Sequence, residues 1–222
     1  DKIGTVCASQ DIALNLGDQP GFLEAVSVDR AGILKQIQAH SGKLSGLITL
    51  GIPASWLLVR ILRIPSGSSE EMRGMVELQM DKFSPYPSES TQTAYEVLNE
   101  HEGQSQVLVA AIHRDKIELL GQLFREAGVE PDRVDLQPLA WWQLIRDTPD
   151  AVPESGSQLL ILLDNGGCDL LLVSNRIPVL FRSLGNLQGL TPDEGIDEIA
   201  RETLSTLASL DADSGNQPMA IR

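Results

Sequence analysis

Cysteine is nearly missing from this chain: Cys7 and Cys168 are the only two in 222 residues. Both lie in apolar, strand-like surroundings with no second cysteine or histidine at ligand spacing. That excludes a disulfide framework and a structural zinc site built on them, and they read as small buried hydrophobes in a reducing compartment. Histidine is equally sparse. His40, His101 and His113 are scattered, with no serine, cysteine or aspartate arranged for nucleophilic catalysis. Basic residues are few against the acidic ones, 17 Lys and Arg to 31 Asp and Glu, a formal charge of -14. With no Lys or Arg cluster to meet phosphates, nucleic acid is excluded as a partner, and so is direct adsorption to an anionic membrane face. Long apolar runs are absent too, so the sequence contains no membrane-spanning segment, and its start lacks the basic-then-apolar pattern of a signal peptide. The chain starts at Asp1 without Met and stops at Ile221-Arg222, soon after what reads as a new strand. It is therefore read as a soluble, excised fragment whose longer parent could carry a membrane segment.

What is present is organised. The most informative stretch is an apolar strand over 159–163, then Asp164-Asn165-Gly166-Gly167-Cys168-Asp169, a second apolar run over 170–173, a turn at Ser174-Asn175-Arg176, and a third strand over 177–183. An Asp ending a buried strand can face a cleft, and paired glycines can take positive φ and let a ligand approach the backbone. A hairpin with a solvated Asp is the plain alternative, since short motifs match by chance.

Upstream, apolar segments over 3–8, 12–16 and 23–28 predict a three-strand meander. Asp29 then caps a helix carrying Ile33, Leu34 and Ile37 on one face. Strands are expected over 47–52 and 56–62. Ser68 or Ser69, followed by Glu70 and Glu71, opens a helix through Lys82 that the prolines of Phe83-Ser84-Pro85-Tyr86-Pro87 end. Strands over 93–99 and 106–112 precede a helix from Arg114 with Ile117, Leu120, Leu123 and Phe124 in its stripe, closed by Gly128. A short strand over 134–136, a helix with Trp141 and Trp142, a Pro-, Ser- and Gly-rich linker over 147–157, the three strands above, and a helix from Thr191-Pro192 to about Leu210 complete the order.

A meander and helix that recur after a linker, with a block inserted in the first half, resemble the duplicated core of the actin-like ATPase superfamily, in its FtsA and PilM branch. Three local patterns narrow this to the PilM and GspL group of type IV pilus and type II secretion assembly proteins. They are Ile52-Pro53 with Leu62-Arg63-Ile64-Pro65, the Phe83-Ser84-Pro85-Tyr86-Pro87 turn with Tyr95 after it, and Val109-Ala110-Ala111-Ile112-His113-Arg114 with Ala127-Gly128-Val129-Glu130-Pro131. The resemblance implies an α/β chain with an actin-like, ribonuclease H-like duplicated core, an inserted α+β subdomain, and a second half truncated at its C-terminus. The implied boundaries are 1–54 with 129–150 for the first subdomain, 55–128 for the insert and 155–222 for the second.

In that superfamily two loops clasp nucleotide phosphates. Asp164, Gly166 and Gly167 match the second. In the first, Val6 stands for the acid, Ala8 for the glycine and Ala13 for the lysine, and only Ser9 keeps its type. A valine cannot hold hydrated magnesium, Cβ of Ala8 opposes the conformation that aims amides at phosphate, and the missing cation removes charge stabilisation. The expectation is a non-enzymatic scaffold without cofactor, the four residues marking a vestigial site; the alternative is a switch or ATPase that binds ATP with Mg2+ through Asp164 and an unusual first loop. Implied partners are inner-membrane pilus or secretion proteins, as a PilN-like tail or an assembly ATPase, with a second copy of the chain as a further candidate. They would be met at the cytoplasmic side of the inner membrane, with Arg60, Arg63, Phe83 and Tyr86 as candidate contacts.

Overall fold

The structure is a computed structural model that describes residues 22–42, 46–148, 151, 153–164, 167–187 and 189–213. The strands expected over 3–8 and 12–16 lie outside these residues. Contacts divide the chain into two compact units, residues 1–52 with Ile112–Asp135, and Pro53–Ala111 with Leu136–Arg222.

In the first unit, α1 (Phe22–Val28) and α2 (Arg30–Ser41) pack with α4 (Arg114–Glu126), and β1 (Thr49–Ile52) pairs with β5 (Arg133–Leu136). The expected strand over 23–28 is corrected here to α1. Its apolar residues Phe22, Ala25 and Val26 are three and four apart, which puts them on one face of a helix, where they meet Ile33 and Leu123. The Ser27 hydroxyl donates to the Leu23 carbonyl one turn back, as helical geometry requires. Asp29 caps α2 by accepting the Gly32 amide at 2.9 Å. α4, on the insert side of the boundary expected at 128, contributes Leu119 and Leu123 to this core. It ends at Gly128, whose φ of 76° suits a residue without Cβ.

In the second unit, β2 (Leu58–Pro65), β4 (Gln104–His113) and β3 (Thr91–His101) form a sheet in the order β2-β4-β3. Trp56, expected to open a strand, instead ends a single 3-10 turn over Ala54–Trp56, because Pro53 fixes the entry and the Leu57 amide closes on Ala54. β2 continues to Pro65, which an edge strand tolerates where its missing N–H would face outward. α3 (Ser69–Phe83) covers one face of this sheet, with Met72, Val76 and Met80 against Ile64, Val107, Val109 and Ala111. β6 (Ser157–Asp164), β7 (Gly167–Ser174) and β8 (Ile177–Asn186) make the second sheet, paired antiparallel in that order. The β7–β8 turn holds Asn175 and Arg176 at φ 49° and 64°, the paired positive values of a two-residue hairpin that matches strand twist. The other faces of the two sheets share a core in which Val59, Leu108, Leu171, Val173 and Phe181 meet Leu139 and Trp142 of α5 (Gln137–Asp147). α6 (Pro192–Asp213) is fastened to β8 by Arg182, which donates to Glu202 at 2.6 Å and to the Thr206 hydroxyl at 2.8 Å.

Candidate functional site

The strand, acidic-glycine turn, strand, turn, strand order expected for residues 159–183 is the β6-β7-β8 meander. Asp164 ends β6 opposite Gly167, the first residue of β7. Gly166 and Ser9 are outside the described residues, and of Asp164 only the backbone is described. Next to Gly167 the Cys168 thiol is buried, and burial, reinforced by the charge of Asp169, pushes its pKa up and favours the protonated form. Among the described residues no three His, Cys, Asp or Glu side chains gather as a metal site.

The candidate contact residues separate. Phe83 and Tyr86 are each about half exposed, 48 % by fractional area, at the end of α3. The Ser84 hydroxyl fixes the turn between them by accepting the Tyr86 amide at 3.1 Å. Arg60 and Arg63 sit on β2 and line two crevices. One, of about 700 Å³, is bounded by residues 57–61 and 179–183 with Ala54 and Thr206. The other, of about 480 Å³, takes in Arg63, Asn99, Gln104, Asn175 and Val179 among others. Neither crevice includes Phe83 or Tyr86. Five consecutive residues of β2's approach and of β8 line the larger crevice. Successive side chains on a strand alternate between faces, so an unbroken run means that the crevice opens onto strand edges. β2 and β8 are the outer strands of their sheets. Sequence reasoning missed Arg182, Ser183 and Thr206 on this crevice; an Arg ending the otherwise apolar run 177–181 was the available signal.

A profile of the family described as type IV pilus assembly protein PilM matches residues 25–174. The chain belongs to that family. No curated protein sequence matches the chain. Among solved structures, one described as the PilM-PilN type IV pilus biogenesis complex superposes with a TM-score of 0.56 at 17 % identity, over 82 % of this chain and 63 % of that one. A likeness at this identity shows a shared fold, the actin-like fold that the sequence resemblance implies for PilM. The cytoplasmic domain of EpsL, an inner-membrane component of the type II secretion system of Vibrio cholerae, gives 0.47 at 14 % identity, over 68 % of this chain and 56 % of that one. A Bacteroides thetaiotaomicron protein with an actin-like ATPase fold and unknown function gives 0.46 at 12 %, over 81 % and 63 %. The chain thus spans less than two thirds of the length of each of these structures. In the described PilM-family region no helix is long and apolar enough to cross a membrane.

Proposed function

We propose that this PilM-family chain is part of a non-catalytic scaffold in the assembly platform of a type IV pilus or type II secretion system. It works at the cytoplasmic side of the inner membrane by docking other proteins. The family match over residues 25–174 carries this reading, and the likeness to a PilM-PilN complex supports a PilN-like partner, which the sequence resemblance takes to be the tail of an inner-membrane protein. An assembly ATPase or a second copy of the chain are the other partners considered. Within this reading, residues 1–54 with 129–150, 55–128 and 155–222 are the first, inserted and second subdomains. The first-loop residues Val6, Ala8 and Ala13 support docking without ATP hydrolysis, since they offer phosphate neither charge nor a glycine backbone.

The test pairs a co-purification with a melting measurement. The complete parent protein should retain inner-membrane pilus or secretion components from its own host, and magnesium-ATP at millimolar concentration should leave the melting temperature unchanged. Retention of none of those components overturns the scaffold reading. A clear thermal shift that Asp164→Ala removes would move the function to a nucleotide switch.

A further inference from the structure

We propose that the smaller crevice, between the β3–β4 and β7–β8 turns, binds a small organic carboxylate with a short aliphatic body, its charge seated on Arg63. The site goes beyond the docking reading above and stands or falls independently of it.

The crevice lies where the two sheets of the second unit approach each other. Arg63 of β2 is paired opposite Gln106 of β4, and directly opposed residues of neighbouring strands share a face. That face turns toward the second sheet, since the Gln106 side-chain amide donates to the Pro178 carbonyl of β8 at 2.8 Å. Both flanking turns are tight, with Glu102 and Gly103 at φ 51° and 73° and Asn175 and Arg176 at 49° and 64°. Each is also tied down. The buried Ser105 hydroxyl pairs with that of Ser66 at 2.7 Å and donates to Glu100 at 3.2 Å, and the Asn175 side-chain oxygen accepts the Gly156 amide at 3.0 Å. Walls fixed in advance spare a ligand much of the ordering cost of binding, and about 480 Å³ lies within the range of small-molecule sites. The β8 wall carries a bulge: Leu172 pairs with Leu180 but Val173 with Pro178, which leaves Val179 as the extra residue. Bulges re-aim side chains and recur beside functional sites, and here Val179 lines the crevice with Ile177.

The charges left over select the ligand. Among the described residues the Arg63 guanidinium makes no ion pair and no hydrogen bond, nor do the side-chain amides of Asn99 and Gln104 beside it in the lining. Arg176, at the rim, is spent on Glu154 and on the Arg146 carbonyl. Glu100 is taken up by Ser105, and the Glu102 side chain is 84 % exposed, so water and salt screen its charge from the crevice. One uncompensated guanidinium balances one negative charge, and its planar fork matches a carboxylate through two parallel hydrogen bonds. The free amides satisfy the remaining carboxylate lone pairs, and Ile177 and Val179 give the aliphatic body an apolar wall.

The experiment titrates isocaproate and its neutral amide onto the isotope-labelled 222-residue chain and follows the side-chain NMR signals of Arg63, Asn99 and Gln104. Isocaproate should saturate those signals with Kd below about 1 mM and bind at least about tenfold more tightly than the amide. Arg63→Gln, at an exposed position and checked for folding by circular dichroism, should abolish that preference. Arg63→Lys, which keeps the charge and loses the fork, should weaken isocaproate binding while leaving the acid preferred over the amide. Inorganic phosphate at the same concentrations should leave bound isocaproate in place. No saturation by about 10 mM, equal binding of acid and amide, or unchanged binding to Arg63→Gln would each overturn the proposal, and displacement by phosphate would overturn the choice of a carboxylate.

Discussion

The two sheets of the second unit are built alike and finished differently. Each has three strands and one helix laid on its outer side, and each central strand is closed to water: Val107, Leu108 and Val109 in β4, and Leu170 to Val173 in β7, are at most 3 % exposed. Their helices both bury one face, but only one is also tied by directed bonds from the sheet. α3 is held by Met72, Val76 and Met80 lying on an apolar face, and methionine adapts to whatever gap remains. α6 covers Ile199, Thr203, Thr206 and Leu207 and adds Arg182 with two directed bonds, while Ile196 and Leu204 stay more than 60 % exposed. Nondirectional packing tolerates small shifts, whereas a bond from a guanidinium fixes position and loses its value when either partner moves.

The largest expected effect tests whether the shared core outweighs the helix-covered faces. Leu171→Ala, in the core between the sheets, should destabilise by about 4 kcal/mol, and Met80→Ala, under α3 alone, by about 2 to 3 kcal/mol, because a surface helix can settle into the space left. Urea denaturation of both variants measures this, and a larger loss for Met80→Ala would reverse the ranking. Next comes the fastening of α6. Arg182→Met should cost about 1 to 2 kcal/mol, the scale of hydrogen bonds to a charged group discounted for the partial exposure of Arg182. A double-mutant cycle with Glu202→Met should return a coupling near 1 kcal/mol. Coupling near zero would make α6 as weakly directed as α3.

The same contrast explains what the sequence could disclose. Hydrophobic period and end signals gave nearly every described element, since Ser68, Asp29, Gly128 and the prolines around Tyr86 act locally on the chain that contains them. The segment 23–28 failed because six residues with Leu, Ala, Val, Ser and Val fit a strand as well as a helix. The choice is made by Ile33 and Leu123, one of them nearly a hundred residues away. Arg60 and Arg63 were legible as exposed charges next to the insert, but not their crevices, because those need β8, more than a hundred residues on. Arg182 was hidden for the same reason: its partners Glu202 and Thr206 are a helix away, and a single Arg after an apolar run looks like a strand end.

In one respect the two helices converge, and this gives the smallest effect. α3 opens with the Ser68 hydroxyl accepting the Glu71 amide while Glu71 accepts the Ser68 amide at 2.8 Å, and α6 repeats the arrangement with Thr191 and Glu194, again at 2.8 Å. Ser68→Ala and Thr191→Ala should each cost about 1 kcal/mol. Both glutamates are held below the usual carboxylate range, first by the backbone amide they accept and then by the hydroxyl. A carboxylate whose pKa is depressed by folding contributes stability above its unfolded pKa, and loses that contribution as pH falls through the folded value. The native protein should therefore exceed Glu71→Gln and Glu194→Gln in stability at neutral pH, with each difference shrinking as the solution is acidified through the carboxylate range. Melting curves taken from pH 7 to pH 3 measure it. If the Glu194 difference persists at low pH while that of Glu71 closes, the two caps are not equivalent.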